Sequence, residues 1–437
     1  MTFQSTFILL PYRIKYLTFQ VYSYLTYRKR YAGKFDNYLN FFLEGKCQCL
    51  VTEDTPVFLT NEVKLLYGLT EEKLIKDFDI IDRVTLKEML IMSDFYNKII
   101  YNTSLKTSGT TGSALIVPID SDFLRFKFAS FYFFKSIHNS GWKVKSGNFF
   151  GRKIIDIKSN KPPYWLKSIF TNQVLFSQYH INEYSIKFYI EAIERFNLRT
   201  LHGYPSVLAI FAEIVKKLSL EKEVHDLELR NITVGSENLS DAQRNLIEKT
   251  FNCKVLNFYG QTESVVDIFE CENGSLHINE SFSFVELIET NESGVYRLIG
   301  TQLKNRKFPL IRYDTGDLVE YDSSLSCDCG RSDRIIKSIV GRNEDFLVLS
   351  NGNRIGRLDH IFKDSIDIVE CQIIQNVKGE AIFKIVRGKN FIEKDEINLR
   401  QSIRTILGDD FKYEIRYLDS IEKTKNGKLK QVINNIT

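Results

Sequence analysis

Four hydroxyls and two glycines are concentrated in Lys106-Thr-Ser-Gly-Thr-Thr-Gly112. Such a loop can hold phosphate oxygens on the side chains of Thr107, Ser108, Thr110 and Thr111, and on backbone N–H groups that Gly109 and Gly112 leave unobstructed. The same residue types also build ordinary turns, so the loop alone leaves both readings open. It lacks the Gly-Lys-Ser/Thr ending of a Walker A loop and the G-x-G-x-x-G spacing of a dinucleotide fold. P-loop and Rossmann chemistry are therefore set aside.

A second group of reactive side chains lies further on. Cys271 and His277 sit six residues apart around a Glu-Asn-Gly turn, and Cys327-Asp-Cys329 precedes Gly330. Three thiolates and one imidazole suit a tetrahedral structural zinc site, with buried free thiols as the alternative. Cys47-Gln-Cys49 has no histidine near it and reads as ordinary thiols. Seven cysteines are an odd number in a chain large enough to need no staples, which points to a reducing cytoplasm.

The elements that must carry these residues read as α/β. Residues 229–235 predict a strand, Ser240 to Phe251 a helix capped by Ser240, and 253–258 a second strand. Ligands gather at the carboxyl ends of strands in such sheets, which singles out Gly235-Ser236-Glu237 and Tyr259-Gly-Gln-Thr-Glu263. Beyond Asp317 the pattern turns strand-rich. Polar punctuation at Gly341-Arg-Asn-Glu-Asp345 marks a boundary between a large layered domain, residues 1–341, and a small α+β domain, residues 342–437. The small domain opens with a hairpin turned at Asn351-Gly352. Strands near 368–375, 380–386 and 412–418 follow, with a helix near 393–407.

The 437 residues are 43% hydrophobic and carry a net charge of only +4 with both signs dispersed. No basic field marks a nucleic-acid partner, and no apolar run is long enough to span a bilayer. Residues 16–30 form an aromatic stretch with a basic end. Packing on its own domain is the commoner fate of such a helix, and lying on a membrane surface is the other.

Five segments occur in an order that resembles the adenylate-forming superfamily of acyl-CoA synthetases, luciferases and peptide-synthetase adenylation domains. The likeness is greatest to the phenylacetate-CoA ligase branch, which includes the capsule-biosynthesis proteins called CapK. Thr107 to Gly112 matches its phosphate loop, and Tyr259-Gly-Gln-Thr-Glu263 its Tyr-Gly-x-Thr-Glu motif. Arg312-Tyr-Asp-Thr-Gly-Asp317 matches the ribose motif, Gly341-Arg-Asn-Glu-Asp345 the hinge, and Lys423-Thr-Lys-Asn-Gly-Lys428 the carboxyl-terminal lysine motif.

The resemblance implies ATP, Mg²⁺ and a small carboxylic acid as ligands. Tyr259 would stack on adenine beside Gly260 and the Gly235-Ser236-Glu237 loop. Thr262 and Glu263 would face the phosphates, with Glu263 holding Mg²⁺. Asp317 would accept from the ribose hydroxyls with Arg342 in support. Lys428 would bridge the acid and the α-phosphate, and Glu344 would be the hinge acid. Tyr204 and Pro205 would line the acyl pocket, although Tyr204 equally suits packing on the helix that follows. The branch also shows a Cys and His pair followed by Cys-x-Cys-Gly, in keeping with zinc.

The chain departs from the family at Ser113, Ala114 and Glu344, where lysine, proline and aspartate are usual. The acyl acceptor stands open between a thiol such as coenzyme A and an amine or hydroxyl of a glycan. A nucleotide-binding protein without catalysis is the reading of another class, against which the retained Glu263, Asp317 and Lys428 argue.

Overall fold

A computed structural model describes residues 7, 10–44, 51–57, 59, 67, 71, 73–92, 104–106, 116–150, 154–156, 159–342, 347–350, 354–355, 358–362, 368–388, 391–423 and 429–436. The chain divides into two compact units. One comprises Met1–Ser23, Trp142–Asn257 and Asn343–Thr437, the other Tyr24–Gly141 and Phe258–Arg342.

In the first unit Ser146–Phe149 lies parallel to both Thr200–Gly203 and Gln173–Phe176, and Asn231–Gly235 is parallel to Thr200–Gly203. Trp165–Lys167 closes the edge antiparallel to Gln173–Phe176. All four positions of Thr200–Gly203 are buried, as expected of a strand covered on both faces. Helix Pro205–Lys217 begins with proline at its first turn, where no N–H is needed. It buries Val207, Leu208, Phe211, Ala212 and Val215, one helical face, against the core with Leu201 and Ile232.

The expected strand, helix and strand near 229–258 are realised as Asn231–Gly235, Asp241–Phe251 and Lys254–Gly260. Ser240 accepts from the Gln243 N–H and Gln243 returns the bond to the Ser240 N–H, each at 3.2 Å.

The carboxyl-terminal part of this unit has a core of its own, centred on Ile373, Phe383, Ile385, Leu399, Ile403 and Val432. Its sheet runs Lys412–Tyr417, Glu380–Arg387, Ile368–Val377, Val432–Asn434, flanked by helix Glu393–Leu407. The expected hairpin is present as Leu347–Val348 paired with Arg354–Ile355. Val432–Asn434 was not anticipated, because three residues carry no periodicity and only parallel pairing with Ile373 to Gln375 makes them a strand. Val369, Val386 and Ile421 join the core of the 142–257 part.

The second unit is an antiparallel sheet. The end of Lys254–Gly260 pairs with Asp267–Glu270, which pairs with Leu276–Ile278, and that with Ile335–Arg342. Leu310–Tyr321, Val295–Gln302 and Phe284–Glu289 complete it in turn. Strand-rich structure thus begins well before Asp317. The four residues of Asp267–Glu270 are all buried and show no alternation from which sequence could recognise a strand. Helix Ser121–Ile137, capped by Asp120 on the Phe123 N–H at 2.7 Å, packs Phe126 on Phe282 and Phe134 on Phe258.

Helix Tyr12–Arg30 buries Phe19 and Ser23, yet leaves Tyr12, Tyr22 and Tyr24 exposed. Its aromatics are therefore only partly used for packing. Among the described residues no helix is long and apolar enough to cross a membrane.

Candidate active site

In the second unit the turn after Lys254–Gly260 and the long strand Leu310–Tyr321 bring two expected nucleotide ligands together. The Tyr259 hydroxyl donates to Asp317 Oδ2 at 2.6 Å, a short bond of the charge-assisted kind. Asp317 is set by its own turn. Its N–H donates to Thr315 Oγ1, whose hydroxyl donates to the Leu298 carbonyl, and Gly316 adopts φ +72° between them. Backbone pairing places Arg342 opposite Asp317. At Gly260 a Cβ would lie 3.0 Å from Asp267 Oδ1, so glycine lets the turn lie close on the next strand.

Glu263 is 9% exposed. Its Oε1 accepts from the Tyr313 hydroxyl at 3.2 Å and from Arg83 Nη1 at 3.4 Å. Thr262 lies on the same turn, where its carbonyl accepts from the Ser264 hydroxyl. Ser264 takes a left-handed φ of +59°, and Ser236 in the other candidate loop takes +68°. Non-glycine residues hold such angles where surrounding contacts impose them, commonly at functional loops.

Those contacts are visible beneath the 259–264 turn. Lys127, from helix Ser121–Ile137, donates to the Gln261 carbonyl at 3.1 Å and also to the Ser264 hydroxyl. Burial lowers the Lys127 pKa, opposed by the charges of Asp267 and Glu263. Asp267 is fully enclosed and its carboxyl is pushed up to about 6 by that burial. It accepts from Ser130 Oγ at 2.7 Å, and Ser130 accepts from Asn279 Nδ2 at 2.9 Å. Lys127 and Ser130, three residues apart on an aromatic helix, were the available sequence signal, and it was missed. Arg83 had no such signal, and Tyr313 stood in the Arg312 to Asp317 motif with no role assigned to it.

In the first unit Glu237 joins three of the motifs read from sequence. Its Oε2 accepts from the Ser206 N–H at 3.2 Å and its Oε1 from the Leu429 N–H at 2.8 Å. Burial raises its pKa, and those N–H groups and the Lys423 charge oppose the rise. Leu429 directly follows Lys428 in the lysine motif. The motif's first residue, Lys423, pairs with the buried Glu370, which also accepts from the Ile421 N–H. Two carboxylates thus tether both flanks of the motif.

Gly235 and Ser236 precede Glu237 at the carboxyl end of Asn231–Gly235. Tyr204 is buried at the N-cap of helix Pro205–Lys217, edge-on to Phe150 at 5.2 Å, and Pro205 is buried behind it. Packing, one of the two readings for Tyr204, is what its surroundings display. Thr107, Ser108, Gly109, Thr110, Thr111, Gly112, Glu344 and Lys428 lie outside the described residues, as does the side chain of Arg342.

The cysteine and histidine set converges. The ligand atoms of Cys271, His277, Cys327 and Cys329 all lie within 4.8 Å of one another. Cys271 Sγ is 3.6 Å from Cys327 Sγ, and Cys329 Sγ is 3.4 Å from His277 Nε2. A tetrahedral zinc with ordinary bond lengths would set such pairs about 3.8 and about 3.6 Å apart. His277 Nδ1 bonds to the Asp333 carbonyl at 3.2 Å, which directs Nε2 into the cluster. The Ser275 hydroxyl and His277 hold the Cys327 thiol down to about 6. The cluster can therefore bind a metal.

A profile of the CapK C-terminal domain matches residues 347–435. Protein CapK of Staphylococcus aureus is 30% identical over 348 residues, which cover 78% of this chain and 75% of that protein. The chain belongs to the CapK family. Phenylacetate-coenzyme A ligase of Thermus thermophilus is 28% identical over 221 residues, covering 48% of this CapK-family chain and 47% of the ligase. Among solved structures, 2-hydroxyisobutyryl-CoA ligase in the postadenylation state with 2-HIB-AMP superimposes with a TM-score of 0.60 at 14% identity, covering 99% and 92% of the two chains. An anthranilate CoA ligase bound to anthranoyl-AMP matches with a TM-score of 0.50 at 15% identity, covering 74% and 65%. The CapK-family chain has the α/β fold of adenylate-forming ligases.

Proposed function

We propose that this chain condenses a carboxylic acid with ATP to an acyl-adenylate, releasing pyrophosphate, and then passes the acyl group to coenzyme A. The observation that carries the first step is the Tyr259 hydroxyl on the Asp317 carboxylate. That bond orients an acceptor suited to both ribose hydroxyls and leaves the tyrosine ring to lie against the base. Gly260 and the loop Gly235-Ser236-Glu237 would border the same nucleotide.

Thr262 and Glu263 would address the phosphates. Tyr313 and Arg83 both donate to Glu263 Oε1, and the carboxylate they hold would bind Mg²⁺. Magnesium would supply charge neutralisation of the leaving pyrophosphate. The hydroxyls of Thr107, Ser108, Thr110 and Thr111, with the N–H groups of Gly109 and Gly112, would receive its oxygens. Arg342 would support the ribose.

Lys428 would neutralise the negative charge that builds up as the acid's oxygen attacks the α-phosphorus. Glu237 holds the Leu429 N–H on one side of it, and Glu370 holds Ile421 and Lys423 on the other. Rotation about Glu344 would then exchange that lysine for the acceptor, with residues 342–437 moving on 1–341. Tyr204 and Pro205 would bound the acyl group. Cys271, His277, Cys327 and Cys329 would hold structural Zn²⁺. The support for coenzyme A is the likeness to phenylacetate-coenzyme A ligase.

The longer match is to protein CapK, and it favours a second reading in which an amine or hydroxyl of a surface glycan takes the acyl group. Acid-dependent exchange of pyrophosphate into ATP, screened over aryl, fatty, amino and uronic acids, tests the shared first step. Release of AMP on adding coenzyme A or an amino sugar to the productive acid then separates the acceptors. Exchange with no acid would remove the proposal.

A further inference from the structure

The amino-terminal helix presents a surface that adenylation does not use. In Tyr12–Arg30, Ile14, Leu17, Val21 and Leu25 are 51, 67, 63 and 52% exposed. At 3.6 residues per turn these four point within about 80° of one another, as one aliphatic stripe along the helix. Phe19 and Ser23 on the opposite face are buried, so the stripe faces away from the packed side. Tyr22 and Tyr24 flank it and are also exposed. The helix contains no acidic residue, while Arg13, Arg28 and Lys29 are exposed and the last two lie at the stripe's carboxyl end.

A second apolar element lies beside the helix, on its Gln20 flank. The hairpin joining Trp165–Lys167 to Gln173–Phe176 exposes Ile169 at 60% and Phe170 at 37% at its tip. Gln20 clamps that tip. Its Nε2 donates to the Lys167 carbonyl at 2.7 Å and its Oε1 accepts from the Ile169 N–H at 3.2 Å. Ser23 and Ser168 bond directly beside it. The tip is therefore held in place with its two apolar side chains in solvent. An exposed apolar ridge built from two elements is uncommon on a surface without a partner.

We propose that this ridge docks the protein on an anionic membrane surface. The occupant follows from composition. Aliphatic residues to enter the interface, tyrosines suited to headgroup depth, basic residues to meet anionic phosphates and no carboxylate to oppose them form the pattern of an interfacial helix. A span across the bilayer is excluded for this helix by its polarity. The inference goes beyond the proposed adenylation and does not depend on it.

Cosedimentation of the full chain with phosphatidylcholine vesicles, with and without phosphatidylglycerol, tests the proposal. Binding to the anionic vesicles is expected, weakened by added salt, with little binding to neutral ones. Leu17→Glu with Val21→Glu, Ile169→Glu alone, and Arg28→Glu with Lys29→Glu should each lower partitioning by about tenfold or more. These positions are exposed, and an unchanged melting temperature verifies folding. Equal binding to both vesicle types, or variants that bind as the wild type does, overturns the proposal. So does self-association in analytical ultracentrifugation that the same variants abolish, which would make the ridge an interface between two copies.

Discussion

Replacing Tyr259 by phenylalanine removes one hydroxyl and keeps the ring proposed to lie on adenine. The lost bond is 2.6 Å long and runs to a carboxylate. Hydrogen bonds to charged groups contribute about 1.5 to 3 kcal/mol, and both partners here are only partly buried, so the lower end applies. That loss falls on the folded protein as about 1.5 kcal/mol of stability, and because Asp317 loses its orientation the Kd for ATP should rise by up to about tenfold at roughly 1.4 kcal/mol per factor of ten. Isothermal titration of ATP and of 2′-deoxy-ATP isolates the ribose contact. The wild type should prefer ATP by about tenfold, one charge-assisted bond to the 2′-hydroxyl. Asp317→Asn should bring the two nucleotides close together in affinity, and Tyr259→Phe should fall between. If Asp317→Asn retained the full wild-type preference, Asp317 would not hold the ribose and the assignment of the whole corner would fail.

Asp267→Asn should alter the pH dependence of stability. The enclosed carboxyl rises from 3.8 to about 6 on folding, so the native state favours the proton and ionisation destabilises the fold as pH increases through that window. Relative to wild type, the variant should gain up to about 3 kcal/mol between pH 4 and about pH 6 and level off above, read from urea melts. A flat difference would show that Asp267 is not so perturbed. Glu237→Gln replaces one acceptor facing a backbone N–H with a second donor, which costs about 1 to 3 kcal/mol at the segment bearing Lys428. The adenylation kcat should fall by about tenfold or more, and an unchanged kcat would argue that the tether is incidental. Purified protein should contain about one zinc per chain by elemental analysis, lost with Cys327→Ser. Metal-free wild type of normal stability would leave the cluster as free thiols.

How far the sequence spoke depends on the kind of signal. The capped helix Asp241–Phe251 and its flanking strands were legible because Ser240 and Gln243 form a local device and the strand ends are polar. Asp317 was legible because Thr315 and Gly316 build its turn within three residues. The cysteine and histidine cluster was legible as pairs, yet nothing local joins Cys271 to Cys327, 56 residues away. Tertiary pairing supplies that. Lys127 under the 259–264 turn and Glu370 under the lysine motif were illegible for the same reason, since each acts on a partner more than 50 residues distant. The left-handed serines at 236 and 264 are likewise imposed by surroundings that no residue type announces.

The central claim is that these residues adenylate a carboxylic acid, and exchange of labelled pyrophosphate into ATP measures it directly. The wild-type protein should catalyse acid-dependent exchange with at least one class of acid. Lys428→Ala should lower the rate by about a hundredfold or more with ATP binding retained, as expected for a charge that acts in the transition state. ATP binding without exchange for any acid, or full exchange in Lys428→Ala, would contradict the account.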